Sequence, residues 1–405
     1  MLKKNLYWKK FTLSIGTIIL LSGAAALPYR TNPNRESGIQ PFRQPSMFSA
    51  IAGPSCPAAP FSISPVADDS YDFITPLGHL NPPDHTLPSD HVYFILKRDQ
   101  PYPAPARPAD VFAPADMRII GVTESLFRKD GRIVNQDYSI DFYPCAELRG
   151  RFGHISEITV DLKRALDSAD KQCQEYGTGG DGTMCKRCTA RTDIPVKAGQ
   201  KIGTAGGKSA AALDVWVYDN RLPQPAYANP IRYNGGSRQT PPATCFVNYV
   251  SEPLRSVMRS RLGGMERGAE GRRTREPLCG EINQDVPGTL AGNWFHNGVQ
   301  HNPQGWQNEM GFVHNAVDPS VEIVSVGGII AGPGLWWFVP KHEGAVNREF
   351  SEVRPGEAVY CYDSTGNSGR ILVRLASDTQ LQAEKQDGSC GSLPLFFQNL
   401  STYER

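Results

Sequence analysis

The sequence predicts a mainly β protein, in which an antiparallel sheet or barrel-sandwich domain is followed by a second small β-barrel or sandwich domain. Three observations favour this fold class. Gly and Pro are frequent, with 39 and 33 residues among 405. Charged residues make up only 20% of the chain, fewer than long surface helices need. From about residue 68 onwards, short apolar runs alternate with turn residues, as expected for many short strands. The 40% of apolar residues excludes a wholly disordered chain.

The charge balance says little about partners. The chain has 42 basic and 41 acidic side chains, for a formal net charge of +1. A protein that binds nucleic acid along its length needs a clear excess of basic residues. We therefore expect no nucleic-acid partner.

The N-terminal residues 1–27 are typical of a secretory signal peptide. Four lysines precede an apolar run from Phe11 to Leu27, which contains the small residues Gly23–Ala26 near its end. The alternative is an uncleaved N-terminal anchor, because about 17 apolar residues are at the short limit of a membrane-spanning helix. In both cases the rest of the chain is exported, to the periplasm or the cell surface. Membrane contact is expected only through this segment, if it is uncleaved.

Composition divides the remaining chain into four parts. Residues 28–67 are rich in Pro, Ser, Asn and Gln and predict a flexible stalk. Residues 68–247 form the first β domain. Residues 248–278 begin with apolar residues at helical spacing, up to about residue 263, and continue as a Gly/Arg linker with interleaved Glu, which we expect to be solvated. Residues 279–405 form the C-terminal β domain.

Individual strands are predicted where β-branched and aromatic residues cluster between turns. In the first domain these runs are His91–Leu96, Met117–Val122, Tyr138–Tyr143 and Leu213–Tyr218. In the second domain they are Gly292–Phe295, Glu322–Gly327, Leu335–Val339, Ala358–Tyr362, Gly369–Leu375 and Leu381–Lys385.

In an exported protein, cysteines are more often disulfide partners than metal ligands. Nine cysteines are present, so one thiol is left over. Cys361 is expected to pair with Cys390, because the two flank a set of predicted strands. Cys245 and Cys279 bracket the helix and linker and are expected to form another bridge.

The other cysteines leave alternatives open. Cys173 is expected to form a local bridge with either Cys185 or Cys188. The C-x-x-C pair at 185–188 has the spacing of a redox or zinc motif, but neither a second pair nor a thioredoxin-like context accompanies it. Cys56, in the predicted stalk, is the candidate for the free thiol.

A series of segments in the first domain carries the functional signal. In chain order these are HTLPSDH (85–91), VFAPADMRI (111–119), FGHIS (152–156), VKAGQKIGTAGG (196–207) and ALDVWV (212–217). This series resembles the M23 family of peptidoglycan metallopeptidases, the lysostaphin-like and LytM-like endopeptidases. The family pattern has an early His and Asp, a V-x-A-P-x-D-G-x-V strand pair, Y-x-H-L, V-x-x-G-x-x-I-G-x-x-G and H-L-H-F-E-V. The resemblance covers residues 68–220.

The resemblance implies a metal site of His85, Asp90 and Asp214, and a catalytic role for His154. His85 and Asp90 match the early pair in type, although four residues separate them where the family usually has three. Asp214 occupies the position of the second histidine of H-x-H. His154 matches the histidine that orients or polarises the attacked carbonyl and its water. Ala212 replaces the first histidine of H-x-H and cannot act as a base.

These departures favour a degenerate site. A hydrolytic zinc needs three protein ligands and an open position for water. Two carboxylates and one histidine would leave the metal less electrophilic, and the loss of one catalytic histidine typically removes about 10²–10⁴-fold of acid–base assistance. We therefore expect an envelope protein that binds or regulates at the cell wall, with peptidoglycan or an envelope peptide or protein as partner.

Two alternatives are kept. The first is an active zinc endopeptidase of wall peptides that uses the altered ligands, with zinc as its cofactor. The second is a structural surface protein in which the C-terminal barrel carries the binding.

The remaining histidines give weaker signals. His79 and His91 are spare ligand candidates if the register is shifted, although histidines and carboxylates in a Pro-rich loop often only cap turns. His296, His301, His314 and His342 are spread through the C-terminal domain without ligand spacing. We interpret these four as surface or core residues.

Overall fold

The protein is mainly β, as the sequence predicts. The computed structural model describes residues 53–405, apart from 102–103, 179–181, 208–209, 234–241, 267–268, 297–305, 365 and 392–393. The predicted signal peptide and residues 28–52 of the predicted stalk lie outside the described residues.

The first sheet is antiparallel and has eleven strands. They are β1 (Tyr71–Thr75), β2 (Val92–Leu96), β3 (Ala106–Phe112), β4 (Met117–Lys129), β5 (Arg132–Tyr143), β6 (Leu148–Ile158), β7 (Lys171–Thr178), β8 (Thr183–Val196), β9 (Lys201–Gly207), β10 (Ala212–Asp219) and β11 (Ala243–Thr244). The main path runs β1-β2-β10-β6-β5-β4-β8-β7, β11 pairs with β10, and β9 pairs with both β3 and β6. Strand β10, which carries the segment 212–217, therefore lies between β2, which follows the segment 85–91, and β6, which contains the segment 152–156.

The second large sheet has eight antiparallel strands and forms a nearly closed barrel. They are β14 (Gly292–His296), β15 (Glu309–His314), β16 (Glu322–Val326), β17 (Gly334–Phe338), β18 (Tyr360–Asp363), β19 (Arg370–Ser377), β20 (Gln380–Gln386) and β21 (Ser401–Glu404). The order is β17-β16-β15-β14-β21-β20-β19-β18, and the two end strands, β17 and β18, lie beside each other. This C-terminal barrel encloses its own core around Trp294, Phe312 and Tyr362.

Helices are few and short among the residues that the structure describes. α1 (Val160–Ser168), which the sequence analysis did not predict, buries Leu162 and Leu166 on one face. α2 (Leu254–Ser260) is shorter than the helical spacing predicted over 248–263. The described part of the chain also has four single-turn 3₁₀ helices: Pro230–Arg232, Phe246–Tyr249, Trp306–Asn308 and Phe350–Glu352.

The segment predicted as a solvated linker forms a β-hairpin instead. β12 (Gly263–Glu266) pairs with β13 (Ala269–Arg272) in a small antiparallel sheet. Arg273 directly after it is buried, and its guanidinium donates hydrogen bonds to the carbonyl oxygens of Pro277 and Ala316. Composition did not reveal this, because a buried arginine that is satisfied by carbonyls has the same sequence signature as a solvated one.

The end of the predicted flexible stalk packs into the fold. Phe61 is fully buried and stacks on Phe246, with ring centroids 4.7 Å apart. Its backbone N–H donates to the carbonyl of Tyr249 at 3.1 Å. Within the described part of the stalk, residues 53–67, Val66 is also buried in the main core.

Four disulfides connect eight of the cysteines. The predicted pairs Cys361–Cys390 and Cys245–Cys279 are confirmed. The local bridge of Cys173 goes to Cys188, its direct partner in the register of β7 and β8.

The prediction that Cys56 is the free thiol was wrong. Cys56 is bonded to Cys145, 89 residues further along the chain, and Cys185 is the free, buried cysteine. The 185–188 pair therefore forms no C-x-x-C bridge.

The segment between β1 and β2, residues 76–91, lies between the two large sheets. We call it the β1–β2 segment. On one side, Leu80 packs with Val313 and Ile323 of the C-terminal barrel, and Leu87 packs with Phe295. On the other side, the segment leads directly into β2 of the first sheet.

Among the described residues, no helix is both long enough and apolar enough to cross a membrane.

Candidate functional site

The β1–β2 segment presents four of the residues singled out in the sequence. The backbone groups of Asn81 and His85 exchange hydrogen bonds of 2.9 and 3.0 Å, which close a tight turn. The N–H of Ser89 donates to the carbonyl of His79 at 3.1 Å. These bonds bring the start and the end of the segment together, so that the rings of His79, His85 and His91 all lie against Tyr93 of β2.

Asp214 of β10 lies at the centre of the site. It is directly opposite Tyr93 on β2 and Gly153 on β6, and only 3% of it is exposed. Its Oδ2 lies 3.4 Å from Nε2 of His91 and 3.2 Å from Nε2 of His154. The buried carboxylate therefore joins histidines that come from two different parts of the chain.

A β-bulge places His154. Between the pairs Tyr138–Ile155 and Ile140–Phe152, strand β6 has Gly153 and His154 where β5 has one residue. His154 has φ +60°, a left-handed backbone conformation that is strained for a residue with a side chain. Bulges of this kind re-aim side chains next to functional sites. Here the bulge turns the imidazole towards Asp214, and its Nδ1 hydrogen-bonds Oδ2 of Asp137 at 2.9 Å.

Gly153 makes room for this arrangement. A side-chain carbon at this position would come within 2.8 Å of the Trp216 ring. That ring stacks on the His91 imidazole, with centroids 3.9 Å apart.

Asp90 is fully engaged by its neighbours. Its Oδ1 accepts a hydrogen bond from Nε1 of Trp216 at 2.8 Å and lies 3.1 Å from Nδ1 of His91. Its Oδ2 accepts a hydrogen bond from the Tyr218 hydroxyl at 3.0 Å. Asp90 therefore orients the His91 ring, and both of its oxygens already have donors.

Together these groups form an alternating chain of acids and imidazoles: Asp137, His154, Asp214, His91 and Asp90. We call these five residues the polar cluster. His154 and Asp90, near the two ends of this chain, are the accessible members, with 43% and 39% of their side chains exposed, whereas His91 and Asp214 are buried. Asp84, on the exposed side of the β1–β2 segment, lies close enough to interact with the charge of His154.

The electrostatics follow from this alternation. The Asp214 carboxylate raises the pKa of His154 to about 10, against the effect of burial and with help from Asp137. Burial lowers the pKa of His91, but its bonds to Asp214 and Asp90 outweigh burial and leave the pKa raised. Burial raises the pKa of Asp90, and the hydrogen bonds from His91, Tyr218 and Trp216 overcome this and lower it to about 2.

The two outer histidines behave differently. Burial, reinforced by the positive charge of His91, lowers the pKa of His79 to about 4 and that of His85 to about 3. Both rings are therefore neutral near pH 7. They stack edgewise around Tyr93, with ring centroids 5.4 and 6.1 Å from the tyrosine ring.

The structure brings together most of the residues predicted from the sequence. Asp90, His154 and Asp214 belong to the polar cluster, and His85 lies beside it, 5.2 Å from His91 between ring centroids. His91, considered only as a spare candidate, is a buried member of the cluster between Asp214 and Asp90. Asp137 was missed, because its contact with His154 depends on the bulge in β6, which no sequence motif marks.

Residues that share one metal ion must have their ligand atoms close together. Two groups of three residues in the described part of the chain have ligand atoms within 4.8 Å of one another. One is Cys56, Cys145 and Glu147, in which the cysteines form a disulfide. The other is His314, Glu322 and Glu349.

The predicted set His85, Asp90 and Asp214 is neither of these groups. Neutral His85 has the chemistry of a ligand. Oδ1 of Asp214 is buried and has no hydrogen-bond partner among the described residues, which also suits a ligand. Asp90 does not suit a ligand, because its carboxylate is already bonded to three donors. Zinc at this cluster stays a prediction, and no catalytic step is derived through it.

Comparisons with known proteins add no assignment. No protein-family model, curated protein or solved structure matches this chain. The resemblance to the peptidoglycan metallopeptidases therefore remains an interpretation of the motifs.

Proposed function

We propose that this chain is an exported envelope protein that binds a peptide of the cell wall at the exposed edge of the polar cluster, without cutting it. The observation that carries the proposal is the engagement of Asp90 by three donors. A carboxylate whose oxygens are already bonded to His91, Trp216 and Tyr218 acts as a structural support for the cluster. Ala212 supports the same conclusion, because it stands where the resemblance expects the first histidine of H-x-H and cannot act as a base.

The chemistry of the exposed edge indicates what it binds. His154 carries a positive charge at the surface, held in place from both sides by Asp137 and Asp214. Asp84 adds a carboxylate nearby. A peptide with both a carboxylate and an amino group, as wall peptides have, would find an opposite charge for each. Four disulfides are consistent with an oxidising compartment outside the cytoplasm.

The test is a binding experiment with purified peptidoglycan and the full chain, purified without chelator or nickel affinity. We expect co-sedimentation with the wall polymer and no release of soluble fragments. His154→Gln should weaken binding about 10-fold, because it removes a unit positive charge whose attraction for a peptide carboxylate is worth about 1–4 kcal/mol. His342→Gln, an exposed histidine in the C-terminal barrel, is the matched control and should bind like the wild type.

Two results would contradict the proposal. Absence of binding by the folded wild type would remove the function altogether. Release of wall fragments that depends on zinc, His154 and Asp214 would instead favour the alternative hydrolase.

A further inference from the structure

We propose that His314, Glu322 and Glu349 form a binding site for a divalent transition-metal ion of the zinc class in the C-terminal barrel. The site is separate from the polar cluster, and the proposal does not depend on the function proposed above. One ligand atom from each of the three side chains lies within 4.8 Å of the other two.

Strand register brings the first two residues together. His314 is the last residue of β15 and Glu322 the first residue of β16, and they are direct partners across the hairpin. Side chains opposite each other in an antiparallel pair have Cβ atoms about 4.5–5.5 Å apart. Nε2 of His314 lies 3.9 Å from Oε1 of Glu322 and 3.6 Å from Oε1 of Glu349, which directly precedes the 3₁₀ turn Phe350–Glu352.

The histidine is oriented as a ligand would be. Its Nδ1 lies 2.9 Å from the carbonyl oxygen of Pro319, to which it donates a hydrogen bond. Metal-binding histidines commonly use the second nitrogen in this way, which leaves Nε2 as the donor atom for the ion. The side chain of Gln284 bonds both the N–H and the carbonyl of His314, at 2.7 and 3.3 Å, and holds its backbone.

Glu322 is the observation that points to a ligand. It is fully buried, and its Oε1 accepts a hydrogen bond from the backbone N–H of Phe350 at 3.0 Å. Its Oε2 is buried and has no hydrogen-bond partner within the described ranges. A buried carboxylate beside a second carboxylate is costly unless a positive charge or a proton compensates it. The guanidinium of Arg348 is paired with Glu352 and so does not supply this positive charge.

The donor set indicates the class of ion. Magnesium and calcium prefer sites built of oxygen, whereas one imidazole with two carboxylates suits zinc and its neighbours. Zinc bonds of about 2.0–2.1 Å place neighbouring ligand atoms roughly 3.3–3.4 Å apart, so the two distances from Nε2 of His314 need to close by only about 0.2–0.6 Å. The His314 side chain is 40% exposed, which lets water complete the coordination.

The test is titration of the full chain with Zn²⁺ by calorimetry, after metal is stripped with a chelator that is then removed. We expect one site that His314→Gln and Glu322→Gln each weaken at least about 10-fold. His342→Gln, an exposed histidine 2.8 Å from Glu352, controls for nonspecific histidine binding and should leave the affinity unchanged. The same titration with Ca²⁺ should show much weaker binding.

A second measurement protects against misfolding. Zn²⁺ should raise the melting temperature of the wild type and of His342→Gln, and this increase should be lost in His314→Gln, whose altered side chain is partly exposed. The proposal is overturned if the folded wild type binds no zinc, which would mean that the two carboxyl groups share a proton instead. It is also overturned if both ligand variants keep the wild-type affinity, or if Ca²⁺ binds as tightly as Zn²⁺.

Discussion

His154 combines a strained backbone, two carboxylate partners and partial exposure. Its imidazole is protonated in the folded state up to a pKa of about 10, while an unfolded histidine titrates near 6.5. Between these two values the folded protein holds a proton that the unfolded chain has released. The stabilisation is therefore fully present below pH 6.5 and is lost as the pH rises towards 10.

This gives a prediction for Asp137→Asn, which keeps the shape of the side chain but removes one charge beside His154. In the presence of chelator, the urea midpoint of the wild type should fall between pH 7 and pH 9.5, and the fall should be smaller in the variant. Other groups with a raised pKa, such as buried Glu322 at about 10, contribute to both proteins and cancel in the comparison. Asp161→Asn, at an exposed helix position, should behave like the wild type. Equal falls in all three proteins would show that Asp137 does not hold the proton on His154.

At the scale of elements, strand β6 depends on Gly150, which pairs with Phe142 of β5. A side-chain carbon at Gly150 would lie 2.2 Å from the ring of Phe142, which is fully buried and stacked on Phe152. We predict that Gly150→Ala destabilises the protein by about 1–3 kcal/mol through overpacking. Gly356→Ala, where an added carbon meets nothing within 4 Å, should change stability by less than about 0.5 kcal/mol. Urea unfolding of the two variants decides, and similar losses in both would contradict this account of the strand.

Cys185, in the hairpin of β7 and β8, gives a prediction that thiol labelling can test. Cys185 is fully buried, and the other eight cysteines are bonded in pairs. A thiol reagent should therefore label no site in the native protein and one site per chain in denaturant. Peptide mapping should place the label on Cys185. Rapid labelling without denaturant would mean that the hairpin opens, and a label on Cys56 would contradict the Cys56–Cys145 bridge.

At the scale of the whole molecule, the β1–β2 segment joins the polar cluster to the C-terminal barrel. Leu80 is buried against Val313 and Ile323 of the barrel. We predict that Leu80→Ala lowers the free energy of unfolding by about 2–4 kcal/mol, as expected for a buried leucine. Leu222→Ala, with 39% of the residue exposed, is the control and should lose much less. The measurement is urea unfolding followed by both fluorescence and circular dichroism, and an unchanged Leu80→Ala midpoint would show that the barrel does not support the segment.

The sequence predicts the parts of this fold that depend on local patterns. The β class, most strands and the bridge between Cys361 and Cys390 follow from alternation and short separations. The bridge from Cys56 to Cys145 could not be predicted, because it closes a loop of 89 residues with no local signal. His314 was dismissed for lack of ligand spacing, since only strand register places it opposite Glu322.

The same limit applies to the candidate site. His85, Asp90, His154 and Asp214 were found through motifs, but their roles depend on geometry that motifs do not carry. The bulge at His154 and the three donors on Asp90 are tertiary features. Because of them, the predicted ligand Asp90 supports the cluster, and the spare candidate His91 is one of its two imidazoles.

The stacking of Trp216 on His91 has a practical consequence. The indole ring of Trp216 lies against the imidazole of His91, and its N–H donates a hydrogen bond to the carboxylate of Asp90. Any proton, ion or peptide that alters the charge on this row of groups changes the electric field across a natural fluorophore. The chain has six tryptophans, so subtracting the emission of a Trp216→Phe variant isolates this signal. The protein thus contains its own optical sensor for occupancy of the site, readable without any attached label.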